Sequence, residues 1–298
     1  MRPCPGHGPL PALVQFPHPG GEHRPATDAM PWSDTNPHKR KFLLADGRWQ
    51  DHDRRTGEGV LTFWGEWEPP SQVIDRRQHP TAPGFPHVLH RPLWASWQGP
   101  GWRQNTDPLV FGGFSYSNCR QAHNARLRSL APGSILLFGS RAAGRFVLDT
   151  CLVVANGADY RCDSLPPRTT ARERNLVFDP LFSDPTVEAA TFRHYRGATI
   201  DHPINGTFSF VPGRPYSDRS PWGFGRPAIE LGPELINPRL AQAAKATLLE
   251  SPRLSECWRQ VVDQVLDSGL VLVTQIDLPS RRKAAKAGTS HPAAPRTC

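Results

Sequence analysis

Imidazoles and a carboxylate crowd one short stretch, QFPHPGGEHRP, which sets His18, Glu22 and His23 close together behind the apolar run Ala12-Leu13-Val14. In a His-Glu-x-x-His helix, two imidazoles share a face because they are four residues apart. Here Pro19, Gly20 and Gly21 forbid the helix, and the spacing differs. A loop can still converge His18, Glu22 and His23 on a divalent metal, since imidazole and carboxylate suit zinc or iron. Without a metal, His18 and His23 are candidate acid–base or ligand-contacting groups. The plain alternative is a polar turn whose histidines bond to backbone.

Further along, HKRK sets His38, Lys39 and Arg40 in a run of four donors ahead of Phe42, a pattern that can hold a phosphate or form a solvated loop. TFWGEWEPPS places Glu66 and Glu68 on one side of any strand they continue, beside Trp64 and Trp67. A carboxylate desolvated against indoles has a raised pKa and can act as acid or base near neutrality. Six tryptophans (Trp49, Trp64, Trp67, Trp94, Trp97 and Trp102) gather in this third of the chain. They are either core or a stacking surface for a base or sugar, with Trp64 a candidate contact.

NTDPLVFGGFSYSNCRQAHNARL supplies Asn105, Asp107, Asn118, Cys119 and Arg120. If Ser117 caps a helix running to about Leu130, Cys119 sits in its first turn, where the dipole favours a thiolate. His123 then lies four residues on, a second half of an activated thiol pair; plain packing is the commoner role for such a cysteine. The same helix start, with Asn118 and Arg120, is a candidate anion site. A last polar loop, FVPGRPYSDRSPWGFGRP, brings Arg214, Arg219 and Arg226 around Tyr216 and Trp222, as a lid or a surface loop.

The elements that must position these groups are short. Ala12 to Phe16 reads as a strand, as do Phe42 to Leu44 and Val60 to Trp64, separated by the turn-rich DGRWQDHDRRTGEG. Pro69 to Asp107 has no sustained period and reads as a long ordered loop rich in Pro and Trp. Pro108 to Phe111 is a short strand. APGSILLFGS and RFVLDTCLVVA form the clearest hairpin, turning at residues 141–144, and both are apolar on both faces, hence central. Helices are expected at Thr186 to His194, Pro238 to Glu250 and Pro252 to Ser268, the last with Leu254, Cys257, Val261, Val265 and Leu266 along one face. LVLVTQIDLP returns as a strand. The expectation is one α+β domain over residues 10–278, with a mixed, mostly antiparallel central sheet and helices packed on one side. Residues 279–298 form a basic tail without a core-forming pattern, expected to be disordered.

The chain has 298 residues, a formal charge of +8 and a mean hydropathy of −0.50. Only five of its 35 basic residues are lysine, so arginine, suited to phosphates and carboxylates, carries the excess. A GC-rich coding bias explains much of that excess, and a basic balance permits a nucleic-acid partner without demonstrating one. The six cysteines show no C-x-x-C pair, and no apolar stretch nears the roughly 20 residues of a membrane helix. With no leader-like opening, a cytoplasmic setting is expected, without a membrane partner.

FPHPGGEH, HKRKFL, FWGEWEPPS, NTDP-LVFGGF-YSNC, LAPGSILLFGS and FVLDTCLVV occur in that order. Together they resemble an uncharacterised bacterial family, the nucleotide-modification-associated domains of the third type, over Leu13 to about Val154. The hairpin also resembles the PUA-like, partly open barrels that read modified bases. The resemblance implies work near DNA base modification or phage conflict. It places His18, Glu22, His23, His38, Arg40, Glu66, Glu68, Asn105, Asp107, Asn118 and Cys119 in motif positions. The reading that follows is a protein that binds a nucleotide or a base in nucleic acid, with chemical alteration of that ligand left open. His18, His23, Glu66 and Cys119 are its catalytic candidates; His38, Lys39, Arg40, Trp64, Glu68, Asn105, Asp107, Asn118 and Arg120 are its ligand and phosphate contacts. The alternatives are a non-catalytic reader of modified bases and a metal-dependent hydrolase built on His18, Glu22 and His23.

Overall fold

The computed structural model describes residues 10–32, 38–80, 82–99, 104, 106–217 and 223–282. Two strands with apolar residues on both faces organise it, β7 (Ile135–Ala142) and β8 (Arg145–Tyr160), joined as the sequence indicates. Ala143 and Gly144 both have positive φ, 47° and 77°, which matches the twist of a two-residue hairpin turn. Both strands are central. β1 (Ala12–Pro17) runs parallel to β7 and is edged by β11 (Lys245–Leu248); β9 (Phe192–Gly197) and β6 (Ser115–Tyr116) continue from β8.

A second sheet grows from the hairpin of β2 (Arg40–Gln50) and β3 (Thr56–Glu66), paired from Arg40↔Glu66 to Gln50↔Thr56. The stretch between Phe42–Leu44 and Val60–Trp64 is therefore mostly strand, with the turn confined to residues 51–55. β5 (Val88–Trp94) lies parallel to β2 and carries β4 (Ser71–Arg76) and β13 (Ser280–Arg281). β12 (Val271–Ile276) pairs with β10 (Val211–Pro215) and also with the far end of β2, which curls this sheet into a partial ring, not a barrel. The architecture is α+β with two mixed, largely antiparallel sheets in place of one central sheet.

Period-two alternation divides the core. Leu136 and Phe138 of β7 pack with Leu43 and Phe63, between the sheets, while Ile135 and Leu137 face the other way. That second side is covered by α3 (Ser251–Asp267), which buries Leu254, Cys257, Trp258, Val261 and Val265. The helix begins with Pro252 in its first turn and stops at Gly269, whose φ of 70° only glycine adopts freely. A short helical segment, α1 (Ala171–Glu173), a π-turn and α2 (Asp179–Phe182), packs Leu176 and Phe178 into the first cluster.

Several expected elements are replaced. The long loop of residues 69–107 contains β4 and β5, which pair with each other, while β5 also takes β2 and β13 as neighbours. Residues 108–111 form only a bridge, Leu109 to Ser115. The helix from Ser117 to Leu130 is two 3-10 turns, Gln121–His123 and Ala125–Arg128, because Arg120 is left-handed at φ 61° and breaks the spiral. Residues 186–194 run through turns into β9, and residues 238–250 end in the edge strand β11.

Candidate functional site

The parallel pairing of β1 with β7 carries on one residue past the strand: the His18 N–H donates to the Gly139 carbonyl at 2.8 Å. Gly20 then lies so close to Ser140 that a Cβ would overlap its side chain, which is why a glycine stands in this turn. Across the sheets, Arg40 opens β2 directly opposite Glu66, which closes β3. Ends of β1, β2 and β3 thus meet around one buried carboxylate.

Glu66 is the hub. Its Oε2 accepts from Arg40 at 2.7 Å and pairs with His18 Nδ1 at 2.9 Å; its Oε1 faces His38 Nδ1 at 3.2 Å. The other ring nitrogen of His18, Nε2, lies 3.0 Å from the sulfur of Cys119. A thiol, an imidazole and a carboxylate therefore stand in a line, each in contact with the next. Burial alone would raise Glu66, but the Arg40 guanidinium and His18 hold it well below the ordinary carboxylate range. The sequence suggested a raised acid here; Glu66 is instead lowered, a carboxylate that orients His18.

Cys119 reaches this line from a loop, not from a helix. Asp107 gathers that loop: its carboxylate accepts the backbone N–H groups of Ser117 and Asn118 at 2.8 Å and of Cys119 at 2.6 Å. The hydroxyls of Tyr116 and Tyr160 donate to the carbonyls of Cys119 and Ser117. The N–H groups expected to hold an anion beside Asn118 and Arg120 are thus spent on Asp107. Burial raises Asp107 to about 7 even against those three hydrogen bonds. The Cys119 thiol is pushed well above its usual value by burial, then by Asp107 and Glu66, with Arg120 opposing. The thiol that a helix dipole was expected to acidify is a neutral thiol facing an imidazole.

Arg40 is fully buried and bonds Asp149 Oδ2 at 2.7 Å as well as Glu66. Arg226 lies 3.5 Å from Asp149 Oδ1, donates to the Gly20 carbonyl and to Ser140, and covers the Trp64 ring at 5.4 Å. A cavity of about 10 Å³ borders His18, Arg40, Glu66 and Asp149. Asp149 and Arg226 were not among the sequence candidates. One signal was there for Asp149: it is the lone charge in FVLDTCLVV, and a charge in a two-faced buried strand demands a partner.

The remaining candidates fall elsewhere. Glu22 accepts from the backbone N–H groups of His87 and Val88, from the His87 ring and from Arg24, so it fastens its loop to the start of β5. His23 stacks on His90 at 5.9 Å, and burial with nearby Lys41 and Lys39 lowers it to about 4. Among the described residues, no metal-ligating group combines His18, Glu22 and His23. The run of four donors is split by strand alternation: Arg40 serves Glu66, whereas Lys41 donates to the Pro69 carbonyl on the other side. Lys39 is half-buried and Arg120 exposed. Trp64 is core, 4% exposed, and its indole N–H donates to the Phe224 carbonyl. Glu68 is buried beside His38, at 3.8 Å. Asn105, Trp102, Arg219 and Trp222 lie outside the described residues.

Among the described residues, no helix is long and apolar enough to cross a membrane. No family model, curated protein or solved structure matches the chain.

Proposed function

We propose that this protein is a thiol-dependent enzyme, with Cys119 as nucleophile, His18 as general base and Glu66 as the carboxylate that orients His18. The carrying observation is the unbroken line of contacts, Cys119 Sγ to His18 Nε2 at 3.0 Å and His18 Nδ1 to Glu66 at 2.9 Å. This is the nucleophile–base–orienter arrangement of covalent catalysis. The neutral thiol gives its proton to His18 Nε2 as sulfur bonds to an electrophilic carbon, and Glu66 stabilises the imidazolium. The same proton then passes to the departing group, and a water deprotonated by His18 displaces the sulfur from the carbon, breaking the C–S bond and returning the proton to the thiol.

A metal role for the thiol–imidazole pair has less support, since no third ligand among the described residues joins Cys119 and His18. The small cavity does not fit a base, so a substrate meets Cys119 from its partly exposed side, next to His38 and Arg120. The substrate class we favour is a nucleotide or a base in nucleic acid. Electron-poor ring carbons of bases accept thiols, the exposed Arg120 follows Cys119, and the motif order resembles the nucleotide-modification-associated family. Incubation with a pool of nucleotides and oligonucleotides, followed by intact-mass measurement, tests this. The expected result is a mass change in a substrate, with a transient adduct on Cys119 that Cys119→Ser lacks. Turnover undiminished in Cys119→Ser would overturn it.

A further inference from the structure

We propose that Asp149 and Arg226 are opposed positioning residues that set, through Arg40 and Glu66, how readily His18 takes the proton of Cys119. This rests on the thiol reading and deepens it, because it names what makes His18 a base.

Asp149 is the residue left over where β8 skips register against β7. Phe138 pairs with Thr150 and Gly139 with Leu148. A bulge of this kind re-aims a side chain, and bulges are common beside active sites. Here it presents a buried carboxylate to Arg40. The Arg40 guanidinium is shared: Nε donates to Asp149 Oδ2 and a terminal nitrogen to Glu66 Oε2, both at 2.7 Å. Burial alone would lower Arg40; Glu66, then Asp149, raise it instead. Glu66 Oε2 also meets His18 Nδ1 at 2.9 Å. If Arg40 faced Glu66 alone, its charge would cancel the carboxylate that an imidazolium at His18 needs. Asp149 draws part of that charge away, so Glu66 keeps an excess of negative charge for His18. Water does little to weaken the link. Asp149 and His18 border the same cavity of about 10 Å³, which has room for about one water at most. Charges so enclosed act on one another with little screening.

Arg226 pulls the other way. It lies 3.5 Å from Asp149 Oδ1, a buried oxygen with no hydrogen bond among the described residues. Its other contacts hold it there: it donates to the Gly20 carbonyl and to Ser140, and it covers the Trp64 ring. Arg226 therefore offsets the Asp149 charge from a fixed position. The other titratable groups around the line enter elsewhere. His38 Nδ1 faces Glu66 Oε1 at 3.2 Å and Glu68 Oε1 at 3.8 Å. Asp107 and Arg120 act on Cys119. Changes at Asp149 and Arg226 leave all of these in place.

The test measures two quantities in the full chain. One is the rate at which iodoacetamide labels Cys119 at pH 7.5; the other is the titration of the His18 ring by NMR in a Cys119→Ser background. Asp149→Asn keeps the shape of the side chain and an oxygen for Arg40 but removes the charge. It should move the His18 midpoint down by about one pH unit and slow labelling by about threefold or more. Arg226→Met should do the reverse, moving the midpoint up and quickening labelling. Loosened packing would change both variants in the same direction, so the opposed signs are the signature. Midpoints that shift the same way, or not at all, overturn the inference. If Asp149→Asn does not fold, the sign of the Arg226→Met shift decides alone. Absent shifts with labelling slowed in His18→Asn overturn this inference and leave the thiol reading standing. Opposed shifts with labelling equal in wild type and His18→Asn overturn the thiol reading and, with it, the proton step proposed here.

Discussion

Arg40 holds a full positive charge between two carboxylates, Glu66 and Asp149, each at 2.7 Å, with almost no access to water. Removing one partner of a buried ion pair leaves an uncompensated charge. Arg40→Leu should therefore cost about 3 to 5 kcal/mol in urea unfolding at neutral pH. Because Arg40 is the main cation holding Glu66 low, its loss lets the carboxylate take up a proton more readily. The deficit should shrink as pH falls, and a deficit equal at pH 5 and pH 8 would contradict this. Asp107 makes a second residue-scale case. Its negative charge raises the Cys119 thiol, while Tyr116 and Tyr160 also hold the loop. Asp107→Asn should shift the pH midpoint of Cys119 alkylation downward; an upward shift would show that loop geometry dominates the charge. In the sequence, His18, Glu66 and Cys119 were each visible as residues of the right type. Their partnership was not, since they lie 48 and 101 residues apart and only chain pairing brings them together.

At the scale of elements, Glu22 shows how a candidate ligand becomes a clamp. Its carboxylate takes two backbone N–H groups and the ring of His87 at the start of β5, tying the turn after His18 to the second sheet. Hydrogen bonds to a charged group contribute about 1.5 to 3 kcal/mol each, so Glu22→Gln should destabilise the protein by about 2 kcal/mol. It should leave Cys119 alkylation unchanged, because Glu22 touches neither Cys119 nor His18. A parallel loss of thiol reactivity would show that the clamp also sets the site. α3 and the β7–β8 hairpin were legible because their signals are local: a helical stripe, a Gly turn, two apolar runs. β5 was not, since VLHRPLW alternates poorly and owes its strand to β2, β4 and β13. The helix expected after Ser117 failed for a different reason. Arg120 turns left-handed, at φ 61°, and a continuing helix cannot contain a residue in that conformation.

For the whole molecule, burial of ionisable groups sets the pH range of stability. His23 and His194 are lowered to about 4 and His90 to about 3, all by burial first. Each folded value lies below the unfolded one, so the stability they contribute is present above pH 6.5 and lost as pH falls toward those values. Asp107, raised to about 7, works in the opposite direction over the same range. Three groups against one leave a net loss of roughly 3 kcal/mol per pH unit near pH 5. Lys41, lowered to about 7 by burial, must take up a proton on unfolding between pH 7 and its unfolded value. Stability should therefore rise further from pH 7 to 8, before the buried thiols of Cys119, Cys151 and Cys257, all raised by burial, begin to oppose it. Urea unfolding across pH 4 to 9 measures this directly, and a maximum near pH 6 would contradict it. The α+β class was legible from strands interspersed with helical stripes. The division into two sheets was not, because the second depends on pairings such as β12 with β2 that join opposite ends of the chain.

The most direct test of the account is the rate at which iodoacetamide labels Cys119 at pH 7.5, followed by peptide mass mapping in wild type and in His18→Asn. Cys151 and Cys257 are buried and should stay unlabelled in the native protein. With His18 as the base beside a neutral thiol, its loss should slow labelling of Cys119 by about a hundredfold, the lower end of what a positioned base supplies. An equal rate in the two proteins would contradict the claim that Cys119 and His18 work as a pair.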